Sequence, residues 1–109
     1  MEFNDYQKAA TETAIYPNKG NNLMYPALGL AGETGEVCEK MKKIIRDKDG
    51  VPDYNDLKAL ALELGDVLWY VSALANEIGI TLDTIAENNL FKLASRKERA
   101  VLGGSGDNR

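Results

Sequence analysis

Four carboxylates carry the chemistry this chain can do. Glu33 and Glu36 lie three residues apart, and Glu63 and Asp66 repeat the spacing. At roughly 100° per residue on a helix, side chains three apart sit about 60° from each other and share one face. Between the pairs runs Asp47-Lys48-Asp49-Gly50-Val51-Pro52, a turn short enough to make an antiparallel helical hairpin the expected packing. Glu33 and Asp66 are equidistant from its midpoint, and so are Glu36 and Glu63. All four acids are therefore expected to face one another at one level of the hairpin. Four ionised carboxylates brought that close repel unless a cation neutralises them. A donor set made only of oxygen favours Mg²⁺ or Mn²⁺ over zinc or copper, and Mg²⁺ commonly shares its shell with substrate phosphates. A phosphorylated substrate is the expectation.

Either acidic pair alone would be an ordinary solvated helix edge. Two pairs, symmetric about a short turn and one of them on a strongly apolar helix, are harder to explain that way, because unpaired buried charge is costly. Other chemistries drop out. The chain has no His, which removes Ser-His-Asp and Cys-His catalysis, His-ligated zinc and the Glu-x-x-His di-metal bundle. Asp47, Asp49 and Gly50 look like a fragment of a calcium loop. With Gly50 at the glycine position, however, Ile45 falls at the first ligand and Asp56 at the place of the bidentate Glu, so turn chemistry is the better reading.

The elements that must position these acids read as helices throughout, which makes the chain all-α. A first helix is expected over Asn4 to Ile15, stopped by Tyr16-Pro17, and a second from Leu23 to Arg46 or Asp47, with Pro26 in its first turn. A third, from Asp53 to Ile78, is apolar on nearly all sides and reads as a central buried helix. After Gly79, Thr81 can cap a fourth helix bearing Leu82, Ile85, Leu90, Leu93 and Val101. Residues 1–102 form one domain and 103–109 a flexible tail. So apolar a third helix also points to a partner chain, since a small two-layer monomer could hardly cover it.

Composition narrows the setting. With 13 Lys and Arg against 17 Asp and Glu, the net charge of −4 removes the broad basic surface of a nucleic-acid binder. The single Cys38 cannot form an internal disulfide, the first residues carry no signal-like apolar run, and no stretch is long enough for a membrane span. A reducing cytoplasm is the expected location.

The pattern Glu33-Thr34-Gly35-Glu36, twenty-six residues, then Glu63-Leu64-Gly65-Asp66 resembles the E-x-x-E…E-x-x-D signature of the MazG-like all-α nucleoside triphosphate pyrophosphohydrolases. The contexts GLAGETGEVCEKMKK, LALELGDVLWYVSALANEIGI and NNLFKLASRK are similar to that family as well. The resemblance implies a four-helix fold whose bundle is completed by dimerisation, as a homodimer or tetramer. It also implies Mg²⁺-dependent cleavage of a (deoxy)nucleoside triphosphate between its α and β phosphates, to monophosphate and pyrophosphate. Glu33, Glu36, Glu63 and Asp66 match the family's metal-binding acids residue by residue and would hold two or three Mg²⁺, with Mn²⁺ as a substitute. Glu36 or Glu33 would also orient or deprotonate the attacking water. Full-length MazG carries two such domains, and this chain has one.

Around the acids, Lys40 and Lys43 follow Glu36 by one and two turns, and Asn89, Lys92 and Arg96 share a face of the fourth helix. These are the candidate polyphosphate contacts, the last three similar to a late Asn/Lys element of the family. Tyr70, one turn after Asp66, is placed to meet the nucleoside, whereas Trp69 reads as core or dimer interface. Gly29, Gly32 and Gly35, unfavourable in an isolated helix, suggest close approach by another chain or a ligand. The ending GSGDNR also resembles that of some family members, in which Arg109 would fold over the site. Rival readings are a phosphoribosyl-ATP pyrophosphohydrolase, a dUTPase-like relative, or a non-catalytic helical interaction module.

Overall fold

The computed structural model describes all 109 residues and contains helices only: α1 Phe3–Thr11, α2 Met24–Lys48, α3 Tyr54–Ile78 and α4 Leu82–Glu98. Each boundary has a local cause. Asn22 Oδ1 accepts from the Tyr25 amide at 3.0 Å at the head of α2, and Pro26 falls in the first turn, where its missing N–H has no partner to lose. Asp49 and Gly50 close α2 with positive φ of 53° and 78°. Asp53 and Asp56 then form a reciprocal capping box on α3, each carboxylate accepting the other's amide, at 2.8 and 2.9 Å. Lys48 bonds both carboxylates, at 2.8 and 2.7 Å. The acidic turn is thus a helix-to-helix connector, as its chemistry suggested. Thr81 caps α4 by accepting from the Thr84 amide at 3.1 Å.

Two boundaries differ from expectation. α1 stops at Thr11 rather than Ile15, because the next amides, Thr13 and Ala14, bond three residues back and the Thr13 hydroxyl takes the Ala10 carbonyl. α4 ends at Glu98, so Val101 lies past the helix, where its amide returns to the Arg96 carbonyl at 2.8 Å.

α2 and α3 form the expected antiparallel hairpin, α1 packs on α3, and α4 packs against α1. Gln7, 7% exposed, ties the last three together. It donates to Asn76 Oδ1 and the Ile80 carbonyl and accepts from the Leu82 amide. α3 is central but not buried on nearly all sides, since Leu57, Leu62 and Leu64 stand 53%, 75% and 57% exposed. The reason is topological: α1 and α2 cover two flanks, and α4 lies against α1 instead of closing the remaining one. Only 11 of 109 residues are buried. The radius of gyration is 16.7 Å, against roughly 13 Å for a compact domain of this length. The 7866 Å² surface exceeds the roughly 6,000 Å² of a compact monomer by about 1,900 Å². No helix is long and apolar enough to cross a membrane.

Candidate active site

Carboxylate oxygens of Glu33 on α2 and of Glu63 and Asp66 on α3 all lie within 4.8 Å of one another. Two helices thus deliver three negative charges to one small volume. A single counter-charge reaches it from α2: Lys40 Nζ stands 3.4 Å from Glu63 Oε1. Partial desolvation, followed by the charges of Asp66, Glu63 and Glu36, holds the Glu33 carboxyl above its usual range. Burial and then Asp66 likewise push the Tyr6 phenol up. The donor set fits a hard divalent cation. Oxygens sharing one Mg²⁺ at about 2.1 Å stand roughly 3–4 Å apart, and these three lie within 4.8 Å of one another.

Glu36 does not join the trio; it is exposed on α2. Repulsion from three neighbouring carboxylates favours a fourth turned to water. Lys43 is exposed and lines a groove toward the turn with Lys40, Asp47 and Asp56.

Beside Glu33 and Asp66 a cleft of about 360 Å³ is walled by Thr13, Trp69 and Tyr70. The Trp69 indole N–H donates to the Thr13 hydroxyl at 2.8 Å, and the Tyr70 ring meets Trp69 edge to face, with centroids 4.9 Å apart. Tyr70 is where its spacing put it. Burial first, then Tyr25, Glu33 and Asp66, raise its phenol pKa. Trp69 packs against the core cluster of Ala14, Tyr16 and Ala73 as expected, and it also forms part of the site wall: residues three apart share a helix face, which brings it beside Asp66. Gly29 is explained here, because a Cβ on it would collide with the Tyr70 ring. Gly32 and Gly35 meet open space.

Behind Trp69 lies a cavity of about 290 Å³, floored by Ala10, Ala14 and Ala73 and including Ser72. The Ser72 hydroxyl, on a residue 1% exposed, has no partner. Glu77 shapes this side. It accepts from the Tyr16 hydroxyl at 2.5 Å and from the Gly20 and Asn22 amides at 2.8 and 3.1 Å, fastening the loop between α1 and α2 to α3. The Tyr16 bond and the two amides hold the Glu77 carboxyl below its ordinary range. Burial and the Glu77 contact push the Tyr16 phenol up to about 12. Thr13, Tyr16, Gln7 and Glu77 escaped the sequence reading, which followed only the i, i+3 acids and the apolar faces. The one sequence signal of Gln7 and Glu77 is a polar residue set among the apolar positions of α1 and α3; Thr13 and Tyr16 lie in the loop after α1.

On α4, Asn89 is exposed, while Lys92 and Arg96 engage residues after the helix instead of the acids. Arg109 does not fold over the acids. Its guanidinium bonds the carbonyls of Val101, Leu102, Gly103 and Gly106.

Comparison with known proteins decides the family. The sequence model of the MazG nucleotide pyrophosphohydrolase domain matches residues 24–101, which takes in α2, α3 and α4 with all four acids. The chain belongs to this family. Membership supports nucleotide pyrophosphohydrolase activity in general. The MazG-family chain is also 51% identical to the gene 37 protein of Mycobacterium phage L5 over 114 residues, covering 100% of both chains. No solved structure matches it. α1, with Tyr6 and Gln7, and Thr13 after it lie outside the family match, although Tyr6 senses Asp66 and Thr13 walls the acid cleft.

Proposed function

We propose that this MazG-family chain hydrolyses (deoxy)nucleoside triphosphates between the α and β phosphates, releasing monophosphate and pyrophosphate, with Mg²⁺ as its cofactor and Mn²⁺ as a substitute. The observation that carries this reading is the convergence of Glu33, Glu63 and Asp66 from two helices with one lysine against them. Glu33, Glu63 and Asp66 would hold two or three ions, with Glu36 joining them. Bound divalent ions supply charge neutralisation for the polyphosphate and acidify the attacking water, which suits a chain with no His base.

The chain's own groups do the rest. Glu36, outside the trio, or Glu33 orients the water and takes its proton. Lys40, 3.4 Å from Glu63, and Lys43 would bind the phosphates. From α4, Asn89, Lys92 and Arg96 are assigned to the same polyphosphate. The nucleoside rests on Tyr70 and Trp69, with the cavity behind Trp69 offering a base-sized space and the Ser72 hydroxyl a hydrogen bond.

We further propose that the chain works as a homodimer or tetramer. The excess surface, the large radius of gyration and the bare leucines of α3 support this, since a standard interface covers about 800 Å² per partner.

The test is an anion-exchange product assay with Mg²⁺ or Mn²⁺ over ribo- and deoxyribonucleoside triphosphates, with dUTP and phosphoribosyl-ATP included. Monophosphate and pyrophosphate in equal amounts are expected. A diphosphate with orthophosphate would overturn the cleavage position, and no turnover of any substrate would overturn the enzyme.

A further inference from the structure

Arg96 is unusual for an arginine near a helix end, with its side chain only 6% exposed. Its Nη2 donates to the Asp107 carbonyl at 3.1 Å and lies 3.4 Å from Asp107 Oδ1, while its Nε, equally buried, has no partner. Lys92, one turn earlier, reaches the same Oδ1 at 3.3 Å. Both ion-pair distances exceed the roughly 2.7–2.9 Å of a well-fitted charge-assisted bond. A buried guanidinium with an empty donor, a second cation beside it, and an anion that fills the pair loosely describe a site built for more acceptor oxygens than one carboxylate supplies. A phosphate group can take Nε and Nη2 in the paired geometry that arginine favours and still present an oxygen to Lys92.

The occupant is held from behind, not by its own fit. The Arg109 guanidinium gathers the carbonyls of Val101, Leu102, Gly103 and Gly106, and Arg99 donates to the Arg109 carbonyl at 2.6 Å. Gly104 and Gly106, with φ of 99° and 86°, provide the bends. The Asp107 side chain is itself 87% exposed, so an incoming anion can exchange with it.

We propose that Arg96 and Lys92 form a phosphate-binding site that Asp107 closes from within the chain, so that a phosphate-bearing ligand and segment 101–109 compete for one guanidinium. The proposal rests on the polyphosphate role assigned above to Lys92 and Arg96, but not on the carboxylate chemistry.

Inorganic pyrophosphate is the probe, measured by calorimetry on the full chain in the presence of a chelator, so that the acids take no part. Asp107→Asn keeps the shape and removes the charge. It should tighten pyrophosphate binding about two- to fivefold, the range expected when an ion pair with one exposed partner is released. In an Arg96→Gln or Lys92→Gln background the same change should have no effect. Saturating pyrophosphate should also speed amide exchange over residues 103–109. Unchanged or weaker binding by Asp107→Asn, or exchange that stays constant or slows, would overturn the proposal. In Glu63→Gln, the gain from Asp107→Asn should persist although turnover is gone, which separates this inference from the catalytic one.

Discussion

The two ends of the α2–α3 hairpin use the same residue types to opposite effect. At the turn, Asp53 and Asp56 cap each other's amides and share Lys48, so both carboxylates are answered within the fold. Halfway along, Glu33, Glu63 and Asp66 converge with Lys40 alone, at 3.4 Å from one of them. Charge that a fold neutralises itself is spent on local structure. Charge that it gathers in excess costs the fold energy, which an incoming cation would relieve. That contrast distinguishes the acids that form a site from those that shape a turn.

The sharpest way to break the contrast is to neutralise one acid at each end. Glu63→Gln should reduce turnover at least a hundredfold with the helical circular dichroism spectrum unchanged, and should abolish the rise in melting temperature that Mg²⁺ gives the unaltered chain. Asp56→Asn should do the reverse, lowering the melting temperature while turnover and the Mg²⁺ response survive. If Glu63→Gln kept its activity, or if both variants behaved alike, the two ends would not differ in kind.

A second experiment asks whether the hairpin's bare outer face is as purposeful as its charged inner one. Leu62→Glu, at the most exposed leucine of α3, should halve the mass seen by sedimentation and lower stability. An unchanged mass would mean that this face is not the subunit contact.

Packing beyond the acids, on the side away from the turn, gives a smaller effect. Gly29→Ala drives a methyl into the Tyr70 ring and should cost about 1–3 kcal/mol in urea unfolding. Gly32→Ala and Gly35→Ala, which meet nothing, should be neutral or slightly stabilising in the isolated chain.

The smallest effect concerns pH. Glu77 is another acid answered within the fold, and its folded pKa is depressed by the Tyr16 bond and two amides. Its contribution is therefore present above the ordinary glutamate value of 4.5 and fades as pH falls through the lower folded value. Stability should decline below that point, and Glu77→Gln should flatten the acid limb. An identical acid limb in both proteins would show that the loop does not depend on this charge.

Much of this was legible before any fold was known. The i, i+3 acids, the turn between them and the cap of α4 depend on interactions within a few residues, so the chain read locally suffices. The hairpin register followed from counting outward from the turn, and Glu33, Glu63 and Asp66 met as the count required. Glu36 departed from it because its side chain answers to solvation and to the charge of the other acids, neither of which helical periodicity describes. The second role of Trp69, at the site wall beside its core packing, was hidden for a related reason, since its partner Thr13 is 56 residues away in sequence.

The amino-acid sequence alone determined the helical class, the hairpin, the four acids and the family they signal, because periodicity, capping and composition act at short range. Only the tertiary structure decided which acids share one volume, that Gln7 and Glu77 fasten α1 and its loop to α3, that α3 keeps an open face, and that Asp107 meets Arg96. Each of those depends on contacts between residues distant along the chain, or on whether a charge finds its partner within the protein, and no local pattern encodes either.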